Sequence, residues 1–326
     1  MVKTLLQAKV AAVALLASTA HAVPVVVADI APVHALVARV LGTVAQPSLV
    51  IDPGQSPHSF TLRPSQARAL EAASVVFWIG KQLTPALERH IETLAADAIV
   101  VALLSVPGTT RYNYREVAVF GADGDHHDGL GHDEHGHNEH GHNEHGHDEH
   151  GHEHNGVDAH AWLDPVNAAR WLDVIAATLS DVDPVNAATY VANAVAGQAE
   201  IEALSDEIAA TLASAGDVQV VVTHDAYQYF ERRFGSAILG AIATGDAENP
   251  SPARIATLQD AVAESGASCV FAEPQYQDNL VRTVFSGDAV TVSVIDPLGA
   301  GLELGAGLYP ALLRNLADRL VTCGSN

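Results

Sequence analysis

Val25-Val-Val-Ala-Asp-Ile-Ala-Pro-Val-His-Ala-Leu-Val-Ala-Arg-Val-Leu41 opens the patterned part of this 326-residue chain. A run as continuously apolar as residues 25–30 suits a strand buried on both faces. Pro32, with no N–H to lose in a first helical turn, then begins a helical stretch to Leu41. The unit recurs: Leu49-Val-Ile51 ends at Asp52-Pro-Gly54, and a helix-like stretch over 64–73 leads into Val75-Val-Phe-Trp-Ile79. Another over 85–96 leads into Ile99-Val-Val-Ala-Leu-Leu104. Uninterrupted apolar strands alternating with helices predict a buried parallel sheet.

The pattern resumes at Asp164-Pro165, an N-cap followed by proline at the first helical position. Apolar residues then fall at helical spacing through Trp171, Leu172, Ile175 and Leu179, and a second helical stretch covers 184–212. Strands are predicted at 218–222, 269–271 and 290–295. Helices are expected at 227–234, 252–264, 278–284 and 308–321. The fold class is α/β: two β/α lobes with parallel sheets joined by a long rigid helix. The division read from the sequence is 1–22 leader, 23–160 N-terminal lobe, 161–186 connecting helix and 187–326 C-terminal lobe. A mass of 34.1 kDa suits two such units.

Between them, at about 121–156 and just before the His160 motif, lies an insertion of another kind. Gly131-His-Asp-Glu-His135 repeats with small changes from Gly136, Gly141 and Gly146. Twelve of the 18 histidines are here: His126, His127, His132, His135, His137, His140, His142, His145, His147, His150, His152 and His154. A five-residue period with no apolar face cannot bury itself, so the segment is expected to be disordered without metal. As a plain acidic linker it would have no need of imidazole, whereas neutral exposed imidazoles beside carboxylates make a chelator of modest affinity for several ions.

Apolar residues at 48% exclude disorder throughout the chain, and 39 acids against 16 Lys and Arg leave a formal charge of −23. That sign argues against nucleic acid or an anionic membrane as partner. Lys3, Lys9, the apolar run from Val10 to Ala17 and Ala20-His-Ala22 read as a secretory signal peptide cleaved near Ala22. Eight strongly apolar residues are too few to span a bilayer core of about 30 Å. No cysteine stands near the cleavage site to carry a lipid, so the expectation is a soluble periplasmic protein and not a lipoprotein. The only cysteines are Cys269 and Cys323. In an oxidising compartment such a pair is most simply a disulfide. Two metal-ligating thiolates are the other reading, without the C-x-x-C spacing that would support it.

Outside the insertion and the leader, five histidines remain. His34 and His90 sit within helical stretches and read as ordinary helix residues. His58 follows the second strand, His224 ends the strand stretch from Val218 to Thr223, and His160 precedes the N-cap of the long helix. Ligands of parallel α/β sheets gather beyond the carboxyl ends of strands, where His58 and His224 fall. Asp296, ending the last strand, occupies the same kind of position and reads equally as a cap for the next segment. Three neutral imidazoles with one carboxylate or water form an N3O set that suits tetrahedral Zn²⁺.

The phrases Pro53-Gly-Gln-Ser-Pro-His-Ser-Phe-Thr-Leu-Arg-Pro64, His160-Ala-Trp-Leu-Asp-Pro165, Thr223-His-Asp-Ala-Tyr-Gln-Tyr-Phe-Glu231, Val270-Phe-Ala-Glu-Pro274 and Ile295-Asp-Pro-Leu-Gly299 resemble the motifs of the ZnuA family. These are periplasmic zinc-binding proteins of bacterial zinc ABC importers. The resemblance covers about Val25 to Cys323. It implies two lobes joined by a rigid long helix, with metal in the cleft between them. The family's three histidine ligands would fall on His58, His160 and His224, and its structural disulfide on Cys269 and Cys323. Its variable His-rich loop would match the repeats. Manganese-type relatives carry Glu where this chain has His224, which favours zinc. Some zinc-type members place Glu before the first histidine, where this chain has Pro57, leaving Asp296 or a water as fourth ligand.

The function so read is high-affinity capture of Zn²⁺ and delivery to a membrane permease with its cytoplasmic ATPase. The loop would bind extra zinc at lower affinity, and affinity should fall as pH drops through about 6 because imidazole ligands must be neutral. The chain is expected to be a monomer, with a periplasmic zinc metallochaperone as a further partner. Two rivals are weighed. A zinc hydrolase or lyase would use three His plus water, but no H-E-x-x-H motif is present and Asp225 is the nearest candidate base. A metal-buffering protein or adhesin is the other.

Overall fold

The structure, a computed structural model, describes residues 23–115, 117–120, 156–214, 219–236, 238–243, 250–267, 269–276, 279–285 and 290–324. Residues 1–22, expected to be a leader, and the twelve histidines of the insertion lie outside the described residues.

The first lobe follows the β/α alternation read from the sequence. Strand β1 (Val26–Ala28) leads into helix α1 (Ala31–Leu41), and β2 (Ser48–Leu49) precedes α2 (Pro64–Glu71). Then come β3 (Val75–Trp78), α3 (Pro85–Leu94) and β4 (Ile99–Ala102). The four strands form one parallel sheet in the order β2-β1-β3-β4, with Val26 beside Val75 and Ala28 beside Phe77. Proline stands at the first or second position of all three helices, where its missing N–H costs nothing.

Helix α4 (Pro165–Val182) and helix α5 (Ala187–Ala213) come next. Asp164 caps α4, its side chain accepting from Val166 N at 2.9 Å. The two helices pack along one another, and α5 also packs on α1 of the first lobe. Its 27 residues span about 40 Å. The second lobe holds β5 (Val220–His224), α6 (Gln228–Phe234), β6 (Ile238–Ala243), α7 (Pro252–Ser265), β7 (Cys269–Ala272), α8 (Asn279–Val284), β8 (Thr291–Val294) and α9 (Leu308–Gly324). Its sheet is again parallel, in the order β6-β5-β7-β8. Helix α5 touches α9 as well as α1, and α4, which covers most of the stretch read as the connecting helix, packs on both α5 and α1.

One large cluster of buried apolar residues runs from the first sheet through α1, α4, α5 and α9 to the second. A smaller one lies between the second sheet and α7 and α8. A disulfide links Cys269 at the start of β7 to Cys323 in α9, with Cα atoms 5.9 Å apart. Among the described residues no helix is long and apolar enough to cross a membrane.

Strand β6 at 238–243 is not among the strands expected from the sequence. Ile238-Leu-Gly-Ala-Ile-Ala243 is half Gly and Ala, so it carries little of the β-branched signal that marks β5. Its second neighbour was equally invisible. Residues 118–120, far away in sequence, lie antiparallel along β6, with a bridge between Val119 and Gly240 and Phe120 N donating to Leu239 O at 2.7 Å. Gly240 is required there, because a Cβ would sit 2.2 Å from Ala118 O.

Candidate metal centre

Each of the three predicted histidines is delivered by a local device. His58 lies in a 3₁₀ turn, Pro57–Ser59, whose preceding Ser56 accepts from His58 N through its hydroxyl at 3.3 Å. His224 is the last residue of β5. His160 immediately precedes a 3₁₀ turn, Ala161–Leu163, that runs into the Asp164 cap of α4. The structure brings the three together: one nitrogen from each lies within 4.8 Å of the other two. Ring centroids are 5.2 Å apart for His160 and His224, 5.6 Å for His58 and His160, and 6.4 Å for His58 and His224. His160 and His224 are buried and His58 is half-buried.

Two carboxylates that the sequence reading passed over decide which atoms face the cluster. His160 Nδ1 is 2.8 Å from Asp158 Oδ1, and the same oxygen accepts from His160 N at 2.9 Å. His224 Nδ1 is 2.8 Å from Glu273 Oε1. Asp158 and Glu273 are themselves buried. A carboxylate only accepts, so each imidazole donates from Nδ1 and turns the lone pair of Nε2 inward. The two Nε2 atoms stand 3.3 Å apart. Two lone pairs at that distance repel unless a proton or a metal ion lies between them. The same separation fits one ion: ligand nitrogens at about 2.0–2.1 Å from a tetrahedral zinc lie about 3.3–3.4 Å from one another.

Burial, and then the neighbouring His160 and His224, push the His58 pKa well below its ordinary value, which keeps that imidazole neutral. Burial also pushes the Asp158 carboxyl up, against the opposing effect of its bond to His160. Trp162 packs its ring on His160, with centroids 5.2 Å apart, and donates Nε1 to Pro297 O at 2.8 Å. Tyr276 covers His224 at 5.3 Å. The donor set is therefore borderline-soft nitrogen inside an apolar and aromatic wall, which suits a transition metal better than Mg²⁺ or Ca²⁺.

Asp296 is not in the three-residue group. Its Oδ1 accepts from Gln275 Nε2 and from Leu298 N, both at 2.9 Å, and its Oδ2 accepts from Ala300 N. Those bonds cap the turn that follows β8. Asp225, the nearest candidate base for a hydrolase, is held by both oxygens in an ion pair with Arg115. His34, expected to be a surface or half-buried helix residue, lies in α1 but is buried, with Nε2 at 3.0 Å from Pro47 O. The insertion histidines, His126 to His154, lie outside the described residues. Of the missed pair, Asp158 has a local cue in Asp158-Ala-His160. Glu273 has none, because it reaches His224 only through the pairing of β7 with β5.

Residues 26–323 match the family model for ZnuA, zinc-uptake complex component A, periplasmic. The chain is 44% identical to the high-affinity zinc uptake system protein ZnuA of Paracoccus denitrificans over 92% of each chain. It is 42% identical to the protein of the same name from Brucella abortus over 91% of each. A crystal structure of a ZnuA deletion mutant with zinc bound superposes with a TM-score of 0.73 at 20% identity, covering 94% of this chain and 99% of that one, which establishes the shared fold.

Proposed function

The chain belongs to the ZnuA family of periplasmic zinc-uptake components, and we propose that His58, His160 and His224 are the ligands that hold its zinc. It is a periplasmic zinc-binding protein of a zinc ABC importer, works with that importer's permease and ATPase, and is not an enzyme. The observation that carries the ligand assignment is the 3.3 Å approach of His160 Nε2 and His224 Nε2, with each ring held from behind by a buried carboxylate. A fourth ligand, either water or Asp296, completes the tetrahedron. The bonds of Asp296 favour water, because both of its oxygens are already engaged by Gln275, Leu298 and Ala300.

The finer organisation is also our reading. Residues 1–22 are a leader cleaved near Ala22. Lobes at 23–160 and 187–326 flank a connecting helix at 161–186, and the mature chain is a monomer. The insertion histidines bind further zinc at lower affinity, and a periplasmic metallochaperone is a partner.

Isothermal titration of the mature chain and of a variant lacking residues 121–155 tests the division of labour. The expected result is one tight site in both and weaker sites only in the intact chain. Loss of the tight site on deletion would reject it. Anomalous scattering from a crystal grown with one equivalent of zinc reads the ligands directly. An ion bound without any of the three histidines would sink the assignment.

A further inference from the structure

Arg115 sits six residues before the insertion begins and 110 positions from Asp225, yet its guanidinium is wholly committed there. Nε donates to Asp225 Oδ2 at 2.8 Å, Nη2 donates to Asp225 Oδ1, and Nη1 donates to Glu231 Oε2 at 2.7 Å. Its planar head lies 3.5 Å from the ring centre of Phe120. Asp225, almost fully buried, directly follows His224, and Glu231 lies in α6, the next helix.

The other end of the same segment is tied to His160. Residues 112–114 run antiparallel to 156–158: Tyr114 N donates to Gly156 O at 3.1 Å, Asn113 bridges Val157, and Asp158 N donates to Tyr112 O at 2.8 Å. Asp158 is the residue that holds the His160 ring. Helix α6 adds parallel ties: Tyr229 Oη accepts from Tyr112 N at 3.1 Å and donates to Asp158 O at 2.7 Å. Arg233 grips the Asp164 carboxylate with two bonds of 2.8 Å. On the far side, Arg254 of α7 donates to Val117 O at 3.1 Å.

We propose that Arg115 is a positioning residue for the metal centre. It fastens the strap that aligns Asp158 and His160 to the strand end that carries His224, and so sets the separation of the two facing imidazoles. This rests on the ligand assignment above. A planar fork held by three carboxylate contacts fixes direction as well as distance, which a lysine cannot do. Without it, Asp225 is left as a buried, uncompensated charge beside a ligand. The two lone pairs are then free to move apart, and the ion must draw them together again when it binds.

The test compares the full mature chain with Arg115→Ala and Arg115→Lys, measuring zinc affinity by chelator competition so that only the tight site is read. Each protein is also loaded with one equivalent of Co²⁺, whose visible absorption reports coordination geometry. The expected result is affinity reduced at least tenfold in Arg115→Ala, with an altered cobalt spectrum. Arg115→Lys should fold yet recover neither. A lower melting temperature with wild-type affinity and an unchanged spectrum would make Arg115 a purely structural tie and overturn the proposal. If Arg115→Ala does not fold, Arg115→Lys alone decides: wild-type affinity and spectrum in that variant overturn it, and their loss upholds it. Failure of the wild-type chain to bind zinc tightly would instead refute the ligand assignment.

Discussion

Replacing Asp158 with Asn separates what that carboxylate does for the ion from what it does for the fold. The shape is conserved, and Oδ1 can still accept from His160 N and Nδ1. The negative charge that raises the basicity of the imidazole is lost. Removing such a partner behind a metal-bound histidine typically lowers affinity about 10- to 100-fold, or about 1.4–2.7 kcal/mol. Stability without metal should respond in the opposite sense. Burial pushes the Asp158 carboxyl up, so its ionised form is disfavoured in the folded chain relative to the unfolded one. A neutral amide escapes that cost. The expected outcome is a zinc affinity lowered 10- to 100-fold by chelator competition, with an apo melting temperature equal to or above that of the parent. Glu273→Gln should act alike through His224, and because both carboxylates stand behind facing rings of one site the double variant should depart from a simple product of the two losses. Affinities within threefold of the parent in both single variants would refute the idea that these carboxylates fix the ligand lone pairs.

Protonation should move apo stability in two directions. His58 has a depressed pKa in the fold, so only the unfolded chain takes up its proton as pH falls below about 6.5. Apo melting temperature should therefore drop on acidification, and less so in His58→Gln. Asp29 opposes it: burial raises its carboxyl to about 7 although Ile30 N and Ile79 N donate to it. The stability it contributes is complete below about pH 4 and lost as pH rises to about 7, so Asp29→Asn should flatten that part of the apo curve. Gly240→Ala drives a Cβ into Ala118 O and should cost about 1–3 kcal/mol, or roughly 2–10 °C by calorimetry. Gly197→Ala in α5 should be nearly neutral, since Leu172 Cδ1 and the Arg39 side chain can give way and helix propensity improves. Reducing the Cys269–Cys323 disulfide, which closes a separation of 54 residues, should lower apo stability by about 4 kcal/mol on the chain-entropy estimate. Wild-type melting after complete reduction would contradict that.

The strand runs at 25–30 and 75–79 announced a parallel sheet because a strand buried on both faces must be apolar at every position, and β1 and β3 are wholly buried. The three histidines were legible from their places in the pattern: His224 ends a buried strand, His58 lies in the turn region after β2, and His160 stands just before the Asp164-Pro165 cap. What stayed hidden is what sequence separation conceals. Arg115 meets Asp225, Tyr229 meets Asp158 and Glu273 meets His224 only after the chain has folded, and each pairing depends on strand order. Strand β6 was hidden differently, because Gly240 and its alanines are small to admit the 118–120 segment. The feature that makes the neighbour fit is the one that removes the strand signal.

The proposed ligands His58, His160 and His224 stand at the ends of packed elements, and two buried carboxylates lie one hydrogen bond behind two of the rings. Three neutral imidazoles offer Zn²⁺ no counter-charge, but Asp158 and Glu273 together supply two negative charges without occupying its coordination sphere. In the apo protein those charges are buried and two lone pairs face one another, an arrangement that works against the empty fold. Zinc removes both penalties at once, so its binding should raise the melting temperature. In a chain bearing Asp158→Asn and Glu273→Gln, which has no buried charge left to compensate, the same saturating zinc should raise it less. An equal rise in both proteins would mean that the carboxylates orient the rings and do no electrostatic work on the ion.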